Sequence, residues 1–241
     1  MPTTRRSSNP VVRASGLCMP VLALIAGALL LPSSAAAGCS DVTPTRPGEV
    51  YLFRGLGNIY SAGPDEMAAQ FSKLGMKNCV DNHLNWMQFA DDILERSDQS
   101  DISYPIILIG HSLGARAAVS MANHLGKNGV PVAYVAMFDP VESTRVGGNV
   151  GEVVNYYVKI PLTNKLARSG EGFTGTIENV GLSGWSGVSH FNIDNLKRLQ
   201  FSIYLRALYL SDSALLALSE EQDTESDVAS SEPPEAPGPD E

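Results

Sequence analysis

The stretch Tyr104-Pro-Ile-Ile-Leu-Ile-Gly-His-Ser-Leu-Gly-Ala-Arg116 decides how this chain folds. Ile106, Ile107, Leu108 and Ile109 are apolar without alternation, the pattern of a strand buried on both faces of a parallel sheet. Gly110 and Gly114 flank Ser112 at minus two and plus two. A strand-to-helix turn this tight brings the flanking positions together, where side chains would collide. It also strains the serine backbone and lifts the hydroxyl above the sheet. The helix-forming residues 115–125 come next. The N–H of Leu113 then lies at a helix N-terminus, where the dipole favours negative charge. A hydroxyl placed in this way is set to attack a carbonyl.

Outward from this stretch, strand-like and helix-like segments alternate, which predicts an α/β fold with a mostly parallel central sheet and helices on both faces. Residues 50–53 read as a short strand and 64–74 as a helix ended by Gly75. Residues 76–80 read as a strand and 86–96 as an amphipathic helix. Residues 132–138 and 153–160 are strand-like, the Gly-rich segment 169–187 reads mainly as loop, and 192–218 close the domain as one or two helices. The domain so bounded, 39–218, is roughly 180 residues, enough for one core and not two.

Both ends differ from the body. Arg5, Arg6 and Arg13 precede an apolar run over 21–31 that is too short to span a bilayer, so residues 1–38 read as an export signal and the mature chain as lacking a transmembrane helix. The protein is therefore expected in a periplasmic or secreted location. Ala35-Ala36-Ala37 suits cleavage and release, whereas Ala36-Ala37-Gly38-Cys39 suits a lipidation box that would anchor the chain through Cys39. In an oxidising compartment Cys39 and Cys79 instead suit a disulfide. From Ser219 onward the chain is acidic and Pro-rich, with nine Asp or Glu residues against a net charge of −9 for the whole, so 219–241 reads as a disordered tail. No basic patch suggests nucleic acid, and no Cys/His cluster has metal-ligand spacing.

A serine nucleophile needs a base, and the base needs an orienting group. Of the four histidines, His111 is inside the turn and expected to project away from Ser112 as a packing residue, and His124 is carried off along the helix. His83 lies in a loop suited to substrate contact. His190, in the loop Gly187-Val-Ser-His-Phe-Asn192, is the expected base. Asp139 directly follows the strand 132–138, on the same sheet edge as Ser112, and is the expected orienting carboxylate, with Glu142 as the alternative. Leu113 supplies one oxyanion donor. The loop Phe53-Arg-Gly-Leu-Gly57 is expected to supply the second, from Leu56 or Gly55. Phe173 and Trp185 are expected to line a shallow substrate pocket.

Taken together, Gly110-His-Ser-Leu-Gly-Ala115, Phe138-Asp-Pro-Val141, Arg54-Gly-Leu-Gly57 and Ser189-His-Phe-Asn192 resemble the α/β-hydrolase superfamily. The order Ser, Asp, His is that superfamily's order, and the Asp-Pro context is similar to pancreatic-type lipases. The resemblance covers residues 50–210. It implies a serine hydrolase acting on a small-molecule or lipid ester or thioester, without a cofactor, with Ser112 as nucleophile, His190 as base and Asp139 as acid. This chain is small and departs from many lipases in having no segment after Asp139 long enough for a helical lid. The early loop departs from the family in reading Arg-Gly rather than His-Gly. A non-catalytic binding protein, an acyltransferase or a polyester depolymerase on the same scaffold are the alternatives.

Overall fold

Every residue of β2 (Glu49–Arg54) and β4 (Ile106–His111) is buried. Successive side chains of a strand point to opposite faces, so each strand feeds two layers. Tyr51, Phe53, Ile106 and Leu108 pack with Ala90 and Ile93 of α2 (Trp86–Asp98) and Ala118 and Met121 of α3 (Leu113–Lys127). Val50, Leu52, Ile107 and Ile109 pack with Met67 and Phe71 of α1 (Gly63–Lys73) and Leu199 and Ile203 of α4 (Lys197–Ser230). The expected α/β architecture, a sheet with helices on both faces, is the one observed in this computed structural model, which describes residues 38–56 and 62–230. The export segment up to residue 37, Gly57 and the tail from residue 231 lie outside the described residues.

The main sheet has seven strands in the order β1-β3-β2-β4-β5-β7-β9. The further members are β1 (Gly38–Cys39), β3 (Lys77–Asn82), β5 (Val132–Phe138), β7 (Val150–Tyr157) and β9 (Thr176–Gly181). Only β1 runs antiparallel; all other neighbours are parallel. After β2 the chain moves to one side for β3 and returns to the other side for β4. The order therefore reverses at the β2–β4 boundary, the place where a parallel sheet opens a crevice at its carboxyl edge. The loop after β2 and the turn holding Ser112 both open onto that crevice. β6 (Thr144–Val146) and β8 (Ala167–Ser169) form a small separate sheet. Among the described residues no helix lies between β5 and β9.

Two sequence expectations change and a third gains detail. The segment 169–187 is mainly loop, as expected, but residues 176–181 within it form the edge strand β9, paired in parallel with β7. Its side chains are mostly exposed, with Ile177 and Val180 its apolar members, so backbone pairing rather than an apolar run makes it a strand. Phe173 precedes β9 and packs into the α2/α3 layer at the amino edge of the sheet, opposite to Ser112, and so does not line the site. Finally, α4 continues to Ser230, past the expected start of the tail at Ser219. By length and composition alone, its Lys197–Ser219 stretch, which holds an 18-residue window of mean hydropathy 1.2, is also long and apolar enough to cross a membrane. In this fold Leu199, Ile203, Ala207 and Ser211 are buried in the domain, so one face of the helix serves the core.

Cys39 and Cys79 stand directly opposite each other on β1 and β3 and form a disulfide. The sulfur that a lipid anchor would occupy is engaged in that bond. The bridge closes a 40-residue separation, which chain-entropy reasoning values at about 4 kcal/mol. Thermal unfolding with and without reductant checks this: reduction is expected to lower Tm by several degrees, and Cys39→Ser to reproduce the loss without reductant.

Candidate active site

The glycines around Ser112 are dictated by contact. A Cβ on Gly110 would overlap the backbone of Gly114, and one on Gly114 would overlap the Phe53 carbonyl at the end of β2. With neither present, α3 starts hard against both central strands. Ser112 takes φ 58° and ψ −117°, a left-handed backbone that costs about 1–3 kcal/mol and persists only where surroundings enforce it. One enforcing contact is its own N–H, which donates to the Phe138 carbonyl at 2.9 Å. The side chain emerges at the carboxyl edge of the sheet, beside the first turn of α3, whose leading N–H groups have no intrahelical acceptor.

His190 and Asp139 meet Ser112 there. His190 Nε2 lies 3.0 Å from Ser112 Oγ, and His190 Nδ1 lies 2.6 Å from Asp139 Oδ2. The three residues come from the ends of β4 and β5 and the loop after β9. Asp139 is fully buried, with φ 44°, and its N–H donates to the Tyr156 carbonyl at 2.7 Å. Its Oδ1 accepts the Val158 N–H at 2.9 Å. Burial pushes this carboxyl up, but hydrogen bonds from His190, Lys165 and the Val158 amide outweigh burial and hold it below the usual aspartate value. The alternative acid, Glu142, is exposed and pairs with Arg116 at 3.1 Å, away from His190.

The second expected group, the oxyanion loop, also reaches the serine. A Cβ on Gly55 would stand 3.0 Å from Ser112 Cβ and 3.2 Å from the His111 carbonyl oxygen, so the backbone crosses directly over the nucleophile. Arg54 anchors the start of this loop. Its Nε donates to Asp65 Oδ2 at 2.7 Å, tying the end of β2 to the first turn of α1. The Arg54 side chain is buried and that of Asp65 partly so. Leu56 comes next with its side chain exposed, and Leu113 is the first residue of α3.

His111 departs from its expected role. It does not simply pack: its Nε2–H donates to the His190 carbonyl at 2.8 Å, and the two rings lie 5.0 Å apart. Its Nδ1 faces Asp194 Oδ2 at 3.8 Å. Asp194 is fully buried and also accepts the Gly63 N–H at 3.1 Å. Burial draws His111 down and pushes Asp194 up, so both lean towards their neutral forms. The residue beside Ser112 thus braces the backbone of His190.

Among the remaining expected contacts, His83 begins a 3-10 turn (His83–Asn85) at the end of β3, on the same sheet edge, with its Nδ1 buried and unpartnered. Trp185 lies in the loop after β9, under the Arg198 guanidinium at 5.2 Å. His124 packs edge-on against Trp86, away from the site. Sequence reasoning missed Lys165, whose Nζ donates to Asp139 Oδ2 at 2.7 Å from a buried position. A lone lysine in the loop Leu162-Thr-Asn-Lys165 carries no local signal for that contact. Among the described residues, no group of three or more His, Cys, Asp or Glu is arranged to hold a metal ion.

Comparison with known proteins finds likeness in structure alone. The chain is similar, over most of its length, to solved α/β-hydrolases and thioesterases. One is described as a hydrolase of the alpha/beta superfamily from Xanthomonas campestris pv. campestris, 13% identical, TM-score 0.40, over 66% of this chain and 99% of that one. A second is the thioesterase domain SrfTE, which cyclises the lipopeptide antibiotic surfactin: 14% identical, TM-score 0.44, over 68% and 95%. A third is the dienelactone hydrolase-like promiscuous phosphotriesterase P91 from metagenomic libraries, 13% identical, TM-score 0.43, over 75% and 95%. No family model and no curated protein sequence matches the chain. Its own residues therefore carry any assignment of chemistry.

Proposed function

We propose that this chain is an exported serine hydrolase that cleaves carboxylic esters or thioesters through an acyl-enzyme. The observation that carries the reading is the row Ser112 Oγ, His190, Asp139, linked at 3.0 and 2.6 Å on a strained turn. His190 Nε2 takes the hydroxyl proton as Ser112 Oγ attacks the carbonyl carbon. The resulting oxyanion meets the amides of Leu113 and of Gly55 or Leu56. His190 then gives its proton to the departing alcohol or thiol, and removes one from the water that releases the acid. Asp139 stays ionised throughout, holding the Nδ1 proton and stabilising the imidazolium.

The surroundings favour an apolar acyl or alcohol group. Leu56, Leu84, Val141, Ile160, Leu162, Trp185 and Phe191 are all exposed, and all sit on connections that follow the carboxyl ends of strands. Such side chains at the mouth of a site offer apolar area to a ligand. Export is supported by the Cys39–Cys79 bridge together with the amino-terminal sequence. The test is a fluorophosphonate probe, which phosphonylates an activated serine. Labelling is expected on the Ser112 peptide by mass spectrometry, alongside hydrolysis of an aryl ester. Folded protein that takes up no probe and turns over no ester or thioester overturns the reading.

A further inference from the structure

Asp139 Oδ2 accepts two cationic or potentially cationic donors at once, His190 Nδ1 at 2.6 Å and Lys165 Nζ at 2.7 Å. Among the described residues Lys165 is the one buried lysine. Burying an ammonium is costly unless it is paired, and here the pairing partner is the carboxylate that orients the base. The position is built rather than accidental. The Lys165 carbonyl accepts from Asn155 Nδ2 at 2.8 Å, inside the core of β7. Asn179 of β9 brackets the next turn of chain, accepting the Ala167 N–H at 2.9 Å and donating to the Ala167 carbonyl at 3.1 Å. A buried asparagine, Asn155, and an exposed one on β9, Asn179, therefore fix the backbone from which the lysine reaches Asp139.

We propose that Lys165 is a positioning residue of this site: its ammonium shares Asp139 Oδ2 with the His190 ring, fixing the carboxylate and tempering the pull it exerts on the imidazole proton. An unshared carboxylate would favour a proton on the His190–Asp139 dyad at full strength; one already neutralised by a cation favours it less. The other ionisable groups nearby, His111 and Asp194, act from the far side of His190: His111 donates to the His190 carbonyl and faces Asp194. Lys165 alone of these touches the Asp139 carboxylate. Without the ammonium, the carboxylate oxygen would serve the His190 ring alone. The catalytic consequence rests on the serine-hydrolase reading; the electrostatic one does not.

Two readouts on the full mature chain separate these. The first is the pH dependence of kcat/KM for an aryl ester. The second is the pH titration of the proton resonance shared by His190 and Asp139, monitored by NMR without substrate. Lys165→Met is expected to move the acid limb of the rate profile, and the dyad titration, to higher pH by on the order of one unit. Turnover well below the limb then falls about tenfold further than it does at the plateau. Lys165→Arg, which keeps the charge, is expected to restore the original limb. The adjoining cavity of about 360 Å³, lined in part by Val158 and Thr163, gives a replacement side chain room. Should the methionine variant not fold, Lys165→Gln carries the same test, since its amide keeps a hydrogen bond without the charge. An unmoved dyad titration in a folded, uncharged variant overturns the proposal, as does an equal shift in Lys165→Arg. A dyad titration that moves in a chain that hydrolyses no ester would uphold Lys165 and defeat the hydrolase reading instead.

Discussion

Ser112→Ala is expected to abolish ester turnover, with kcat reduced by about 10⁴-fold or more, because without the nucleophile only substrate binding and the oxyanion donors remain. The fold should survive. The Ser112 hydroxyl has His190 as its hydrogen-bond partner and makes no structural cap for α3. Alanine keeps the Cβ that already fits at φ 58°. Thermal unfolding should therefore stay close to the parent, within the range of roughly half a kcal/mol typical of substitutions that touch no packing. Steady-state kinetics with a short-chain aryl ester and a melting curve together check the claim. Residual turnover near the parent rate would remove Ser112 from the chemistry.

Asp139→Asn is the second large effect, and it should act on two properties at once. An asparagine in this place offers His190 an amide that does not hold the required tautomer, and losses of about 10⁴-fold result from that kind of change. Unlike Ser112→Ala, this variant should also be destabilised. Lys165 Nζ is buried against Asp139 and would be left with an uncompensated charge. Removing one partner of a buried pair costs about 3–5 kcal/mol. The double variant Asp139→Asn with Lys165→Met is expected to recover much of that stability while recovering no activity. Urea unfolding of the single and double variants measures the coupling directly.

The contrast between these two substitutions marks how much of the site was legible in the sequence. Ser112 and Asp139 were each readable because a local rule places them. The turn sterics of Gly110 and Gly114 identify the serine. The end of the buried run 132–138 identifies the aspartate, since loops after parallel strands gather on one edge. His190 emerged by elimination among four histidines. Leu113, Leu56 and Gly55 were singled out because they neighbour sharp, glycine-dependent features, and the structure brings the Gly55 backbone close to Ser112. The misreadings share a different cause. Phe173 has the composition of a pocket residue, but it precedes β9 rather than following it, which puts it at the wrong end of the sheet. β9 itself has too few apolar residues for its periodicity to show. His111 was read from side-chain direction along the chain, whereas its role depends on where the His190 carbonyl comes to rest.

Short windows of sequence suffice for a two-faced parallel sheet, the strained serine turn and the carboxylate at a strand end. Period, glycine spacing and strand polarity act over a handful of residues and need no knowledge of the rest of the chain. The folded arrangement alone establishes that Lys165 shares the Asp139 carboxylate, that His111 braces the base, and that Cys39 is joined to Cys79. Those contacts are set by the paths of segments whose own residues show no periodicity. At the site, the distances that matter arise when the β7–β8 connection and the loop after β9 fold back onto the same sheet edge.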